Sequence, residues 1–126
     1  MALHAALLLS ALWGALAPFV GPAFGVTLEG QTAARIADHA VPGALSLASG
    51  SALMALETRS GPSPKRLAFV AFLGGVWMVG SHLGLVAQAL EGEVTYVAML
   101  FHTVPGIFVA ASAALLLARS MLRAAD

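Results

Sequence analysis

Charged residues divide the chain into four long apolar stretches. Residues 1–28, 40–56, 67–90 and 94–118 contain no Asp, Glu, Lys or Arg. A helix needs about 20 apolar residues to cross the hydrocarbon core of a bilayer. Three of these stretches reach that length, and the second reaches it when Ile36 and Ala37 are added. The pattern predicts an all-α membrane protein with four transmembrane helices in a single membrane domain, 1–126.

Composition supports a bilayer as the solvent of this chain. Of its 126 residues, 60% are hydrophobic and 10% are charged, whereas soluble domains carry about 25% charged residues. The net charge is zero and no basic run occurs, which makes nucleic acid an unexpected partner. The absence of cysteine excludes disulfides and thiolate metal sites. The lipid bilayer is therefore the first expected partner.

The basic residues predict the orientation. Arg59, Lys65 and Arg66 follow the second stretch, Arg119 and Arg123 follow the fourth, and the opposite loops hold only Arg35. Short loops rich in Lys and Arg remain on the cytoplasmic side. We therefore expect both termini and the middle loop to be cytoplasmic (N-in/C-in), in a membrane that we expect to be a prokaryotic plasma membrane.

The second and fourth stretches share a motif. Residues 39–53 (HAVPGALSLASGSAL) and 102–116 (HTVPGIFVAASAALL) both begin with H-x-V-P-G, at an offset of 63. Upstream, Trp13 in the first stretch corresponds to Trp77 in the third. Because each half enters and leaves on the same side, the repeat is parallel. The sequence predicts two tandem hairpins, repeat 1 over 1–57 and repeat 2 over 66–123, joined by a cytoplasmic linker over 58–65.

The repeated residues resemble a known family. Trp13 leads to Ala17-Pro18-Phe19, and Trp77 leads at the same spacing to Ser81-His82-Leu83. His39 and His102 each precede a glycine, Gly43 or Gly106, by four residues. This pattern resembles the SPW-repeat family of small membrane proteins, in which each repeat is a pair of helices, although the Ser-Pro-Trp triplet is altered in both copies. The resemblance implies an architecture and no activity.

Three histidines are the candidate cofactor-binding residues. His82 and His102 should each lie about 12 Å below the outer boundary, and the repeat places His39 at a similar level. Three imidazoles at one depth can ligate a metal ion or b-type haem. In the structural alternative, an imidazole N–H bonds a carbonyl on a neighbouring helix that a proline has left without its donor. His4, near the cytoplasmic end, is expected to snorkel.

Small residues and prolines suggest where helices pack and bend. Glycines at small-xxx-small spacing or in the repeated motif are predicted to lie at helix contacts: Gly21, Gly25, Gly43, Gly80, Gly84 and Gly106. Prolines within the stretches are predicted to kink their helices: Pro18, Pro22, Pro42 and Pro105. Trp77 falls about mid-membrane, where it is expected to pack against other helices.

Three functional hypotheses remain open. The first is a non-enzymatic accessory or structural subunit without a cofactor, forming a homo-oligomer or joining a larger membrane complex. The second is a haem- or metal-binding redox subunit that uses His82 and His102, with or without His39. The third is a small channel or transporter, for which the candidate polar residues besides the histidines are Ser46, Ser49, Ser51, Ser81, Thr103 and Ser112.

Overall fold

A computed structural model describes residues 1–25, 32–56 and 64–122. These residues are helical and contain no strand. Four helical segments are long and apolar enough to cross a membrane, and we call them the first to fourth spans: Ala2–Phe24, Ala33–Leu56, Pro64–Glu91 and Tyr96–Leu122. The prediction of four apolar helices is confirmed. Arg59 and Arg123, which contribute to the predicted orientation, lie outside the described residues.

The spans are built from several helical elements. The helices are α1 (Ala2–Val20), α2 (Thr32–Arg35), α3 (Val41–Leu56), α4 (Pro64–Gly80), α5 (Leu83–Glu91) and α6 (Tyr96–Leu122). A 3₁₀ turn, Gly21–Phe24, follows α1, and a π-helix, Ile36–Ala40, joins α2 to α3. Because α4 begins at Pro64, the last two residues of the predicted linker 58–65 are helical.

The four spans pack in a ring. Helix α1 contacts α3 and α6, and α4 contacts the same two helices from the other side. A cluster of buried apolar residues fills one end of the interior: Leu7, Leu53, Ala68, Ala71, Ala113 and Leu116. Ala11, Met78 and Val109 form a second cluster farther along. Many of these side chains are small, so the helices approach one another closely.

Close helix contacts occur at glycines. A Cβ added at Gly43 would lie 2.5 Å from Ala15 Cβ, and one at Gly75 would lie 2.8 Å from Ala110 Cα. A Cβ at Gly106 would lie 2.9 Å from Met78 Cβ. The contacts at Gly43 and Gly106 agree with the sequence analysis. The same analysis did not single out four other glycines in tight contacts: Gly14, Gly50, Gly74 and Gly75.

Three other predicted packing glycines have no such contact. A Cβ added at Gly25, Gly80 or Gly84 would meet nothing within 4 Å. Gly25 instead ends the 3₁₀ turn with φ +71°, a conformation that glycine adopts without a steric penalty. The Gly80-x-x-x-Gly84 pattern lies on the outer surface. Spacing alone does not identify which face of a helix turns inward. Gly21, by contrast, is buried.

Two of the four prolines lie at changes in helical geometry, and the other two lie inside α-helices. Pro18 is inside α1, and Pro22 lies in the first turn of the 3₁₀ segment. Pro42 follows the π-helix by two residues, and Pro105 lies inside α6. The expectation for His4 was wrong: its side chain is only 2% exposed, because it lies on the face of α1 that turns toward the bundle.

We predict that Gly75→Ala destabilises the protein and that Gly84→Ala does not. The new Cβ at position 75 would press on the backbone of Ala110, and overpacking of this kind costs about 1–3 kcal/mol. Position 84 has open space, and alanine is favoured over glycine in a helix by about 1 kcal/mol. Thermal unfolding in detergent measures both. Equal loss of stability in the two variants would contradict the described packing.

Candidate functional site

The three predicted histidines form one buried cluster. The ring centroids of His39 and His82 are 4.5 Å apart, those of His39 and His102 are 5.4 Å apart, and those of His82 and His102 are 6.0 Å apart. The three side chains come from the second, third and fourth spans. All three are buried. The cluster therefore joins three of the four spans.

His39 connects the second span to the first. Its Nδ1 lies 3.0 Å from the carbonyl oxygen of Gly14. Gly14 precedes Pro18 by four residues, and proline has no N–H to donate to that carbonyl. The imidazole N–H therefore supplies the donor that the helix lacks. His39 reaches this position from the π-helix Ile36–Ala40, a geometry that shifts side-chain directions relative to a regular α-helix.

His82 lies at a break in the third span. Helix α4 ends at Gly80 and α5 begins at Leu83. At the break the His82 amide donates to the Val79 carbonyl at 3.0 Å, so it does not serve the Met78 carbonyl four residues back. The His82 Nδ1 lies 2.6 Å from that oxygen, and the Ser81 hydroxyl donates to it at 3.2 Å. The residues of the break thus satisfy the carbonyl that the break frees.

His102 bonds within its own helix. Its Nδ1 lies 2.9 Å from the Ala98 carbonyl, one turn earlier in α6. Its ring packs beside Phe101, with centroids 5.5 Å apart. In all three histidines the Nδ1 atom therefore faces a main-chain carbonyl. A carbonyl only accepts hydrogen bonds, so each Nδ1 carries the hydrogen.

The Nε2 atoms of two histidines meet. His39 Nε2 and His82 Nε2 are 2.9 Å apart, a hydrogen-bond distance. This contact joins the second span to the third. Both partners in this contact are side chains. The hydrogen bond from His39 to the first span, in contrast, ends on a main-chain carbonyl.

Trp13 supplies another freed carbonyl with a donor. Its Nε1–H donates to the Phe101 oxygen at 3.2 Å, and the two rings pack with centroids 4.8 Å apart. Phe101 precedes Pro105 by four residues, so its carbonyl has lost its helical donor. The sequence analysis identified Trp13 only as part of a motif and missed this role. The signal available was a proline in one span and an indole at similar depth in another.

The pair of His39 and His82 does not fit the two axial positions of haem. Two axial imidazoles bind iron from opposite faces of the macrocycle, with nitrogens about 4 Å apart across two bonds of roughly 2 Å. The Nε2 atoms of His39 and His82 are too close for a macrocycle to lie between them. Within 1–25, 32–56 and 64–122, no three His, Cys, Asp or Glu side chains form a group that could hold a metal ion.

Four of the six hydroxyl groups proposed for a polar path, those of Ser46, Ser49, Ser81 and Thr103, are engaged with the main chain. Ser49 and Thr103 donate to carbonyls one turn earlier, those of Leu45 and Met99. Ser46 donates to the Ala71 carbonyl on the neighbouring helix α4 at 3.4 Å. These bonds hold the hydroxyls against helix backbones. They give no specific support for a transport path.

Comparison with known proteins adds no relationship. No family model, curated protein or solved structure matches the chain.

We predict that Trp13→Phe destabilises the bundle through the Phe101 carbonyl. Phenylalanine keeps an aromatic ring but cannot donate, and the loss of a hydrogen bond costs about 1 kcal/mol. In a Pro105→Ala background, residue 105 regains an N–H for that carbonyl, so the cost of Trp13→Phe should fall toward zero. A double-mutant cycle of unfolding free energies in detergent measures this coupling.

Trp77 provides the matched control. It shares the motif spacing of Trp13 and is equally exposed, at 46% against 47%, but no hydrogen bond of its indole appears among the described residues. Trp77→Phe should change stability little and show no coupling to Pro105→Ala. Equal effects of the two tryptophan substitutions would contradict the assigned role of Trp13.

Proposed function

We propose that this small multi-pass helical protein is a non-enzymatic structural unit of the membrane that associates with a second copy of itself. The observation that carries the proposal is an outward stripe of small residues on the third span. Gly80 and Gly84 are exposed, and a Cβ added at either would meet nothing within 4 Å. Membrane helices associate where small residues let their backbones approach closely.

The stripe has the spacing of a helix–helix seam. Leu73, Trp77, Gly80, Gly84 and Ala87 follow one another at intervals of four, three, four and three residues, and all five are exposed. Knobs-into-holes packing uses this alternation, and here the stripe crosses the break between α4 and α5. Large side chains at Leu73 and Trp77 would pack beside the space left by the two glycines. Trp77, which the sequence analysis expected to be a packing residue, would then pack between copies.

The interior supports a structural role for the histidines. Each imidazole is committed through Nδ1 to a main-chain carbonyl, and the Ser81 hydroxyl beside His82 donates to the Met78 carbonyl as well. Such bonds hold irregular helices together in an apolar solvent. The geometry therefore favours helix connection over catalysis.

The membrane orientation and the repeat are part of the same proposal. Corresponding glycines, Gly43 and Gly106, pack at corresponding positions of the first and third spans, Ala15 and Val79. This supports two parallel hairpins of the kind found in the SPW-repeat family. Lys65, Arg66 and Arg119 at one set of span ends support cytoplasmic termini and a cytoplasmic middle loop.

We predict that Ala87→Cys forms disulfide-linked dimers in native membranes. The chain has no cysteine of its own, so the introduced thiol is the one available for cross-linking. Ile107→Cys, on an outward face of the fourth span and 52% exposed, is the matched control and should stay monomeric. Adding Gly80→Leu and Gly84→Leu should abolish the Ala87→Cys dimer. Non-reducing electrophoresis after mild oxidation measures the product.

Two results would contradict self-association through this stripe. Equal dimer formation by Ala87→Cys and Ile107→Cys would indicate random collision. A cross-link to a different protein, without a dimer, would indicate a larger complex instead of a homo-oligomer.

We predict opposite sidedness for the two ends of the fourth span. A green fluorescent protein fused after Asp126 should fluoresce, and alkaline phosphatase fused there should be inactive, because the C-terminus is proposed to be cytoplasmic. A phosphatase fused after Gly92 should be active. Reversed activities would overturn the orientation without affecting the cross-linking result.

A further inference from the structure

The hydrogen bonds at the contact between His39 and His82 require more protons than two neutral imidazoles carry. The carbonyls of Gly14 and Met78 accept a hydrogen bond from Nδ1 of His39 and His82, respectively. A neutral imidazole has a single N–H, so each Nε2 of a neutral pair would be a bare lone pair. At 2.9 Å two lone pairs repel, whereas a proton between them makes a normal hydrogen bond.

We propose that His39 and His82 form a proton-binding site in which one proton is held between their Nε2 atoms. The pair then has three protons on four ring nitrogens and carries one positive charge. Two protons are donated to main-chain carbonyls and the third joins the rings. Hydrogen bonds from a charged donor are shorter and stronger than neutral ones, and the 2.6 Å between His82 Nδ1 and Met78 oxygen is short for an N–H donor.

A neutral arrangement through Ser81 agrees less well with the geometry. The Ser81 hydroxyl lies 3.0 Å from His82 Nδ1 and would donate to it if that nitrogen were bare. His82 Nε2 would then carry the hydrogen toward His39. The bare Nδ1, however, would face the Met78 oxygen at 2.6 Å, acceptor against acceptor. The hydroxyl also has that same oxygen as its own acceptor at 3.2 Å.

Dipoles of the neighbouring main-chain groups stabilise the positive charge of the pair. His102 on α6 is the titratable group next to the pair, with its ring 5.4 Å from that of His39. Asp38 adjoins His39 along the chain, with Arg35 one turn earlier. On the other packed helices, His4 precedes Gly14 by ten residues and Glu91 follows His82 by nine, about 13 Å or more along each axis. The remaining titratable side chains of the described helices are Lys65, Arg66, Tyr96 and Arg119. The carbonyl oxygens of Gly14 and Met78 are the negative dipole ends in direct contact.

The bound proton fastens two spans together. His39 belongs to the π-helix of the second span and His82 to the break in the third. Loss of the proton would leave two lone pairs in contact and separate the rings. Both residues lie in irregular segments, which change conformation more readily than a regular helix does. Proton binding is therefore coupled to the packing of the second span against the third.

Nitrogen NMR of the full chain in lipid nanodiscs, with ¹⁵N-histidine, tests the proposal. Across a pH titration of the folded protein, we expect three protonated nitrogens on the pair and a scalar N–N coupling between the two Nε2 atoms at the acid end. The third proton and the coupling should disappear together as the pH rises. His102→Gln should retain the coupling, and His82→Gln and His39→Gln should lose it.

Ser81→Ala separates the proposal from the neutral arrangement. The proton held between the rings does not need the Ser81 hydroxyl, so the coupling should survive in this variant. A coupling with two protons on the pair at every pH, and its loss in Ser81→Ala, would overturn the proposal in favour of a neutral pair. Absence of any third proton while the chain remains folded would also overturn it. Shifts of the Nε2 signals on addition of Zn²⁺, with no coupling in its absence, would indicate a metal site instead.

Discussion

Main-chain carbonyls that lose their helical donor have no water to bond inside a bilayer. Three such carbonyls shape the interior of this protein. Gly14 and Phe101 lose their donors to Pro18 and Pro105, and Met78 loses its donor to the break after Gly80. Side-chain N–H groups of His39, Trp13 and His82 serve these three oxygens. Two of the three bonds cross between spans, so the irregular points of the helices determine where the polar cluster forms.

In the two halves of the chain, different residues supply the hydrogen-bond donor for a freed carbonyl. The offset that relates Trp13 to Trp77 also relates Gly14 to Met78 and Pro18 to His82. In the first half a proline frees the carbonyl, and His39 arrives from another span to bond it. In the second half His82 stands in the proline's place and bonds the freed carbonyl itself. His102, the counterpart of His39, then bonds its own helix. Histidine at position 82, where this offset has proline in the first half, thus accompanies an asymmetric cluster in which two Nε2 atoms meet.

The four spans could be predicted from the sequence because a helix surrounded by lipid must be free of charged residues over its whole length. It also placed His39, His82 and His102 at one depth, since depth follows from residue count along a helix. Direction around the helix axis was harder to predict. Gly75 packs inward and Gly84 faces outward, although both are small residues in the third span. The π-helix at Ile36–Ala40 rotates the side chains after it, which no regular periodicity anticipates. The hydrogen bond from Trp13 required knowing that α1 packs against α6.

Small residues in this chain lie on two kinds of surface: the helix contacts inside the bundle and the outer face of the third span. Lipid is as apolar as leucine, so burial alone gives no driving force for helices to associate. The bundle relies instead on backbone approach at Gly43, Gly75 and Gly106 and on the few hydrogen bonds that cross between spans. The outward glycines, Gly80 and Gly84, would offer the same close approach to a partner. In the proposed self-association, that surface would depend on van der Waals packing, so it should be weaker than the contacts within the bundle. That difference allows one chain to fold first and then assemble as a preformed unit.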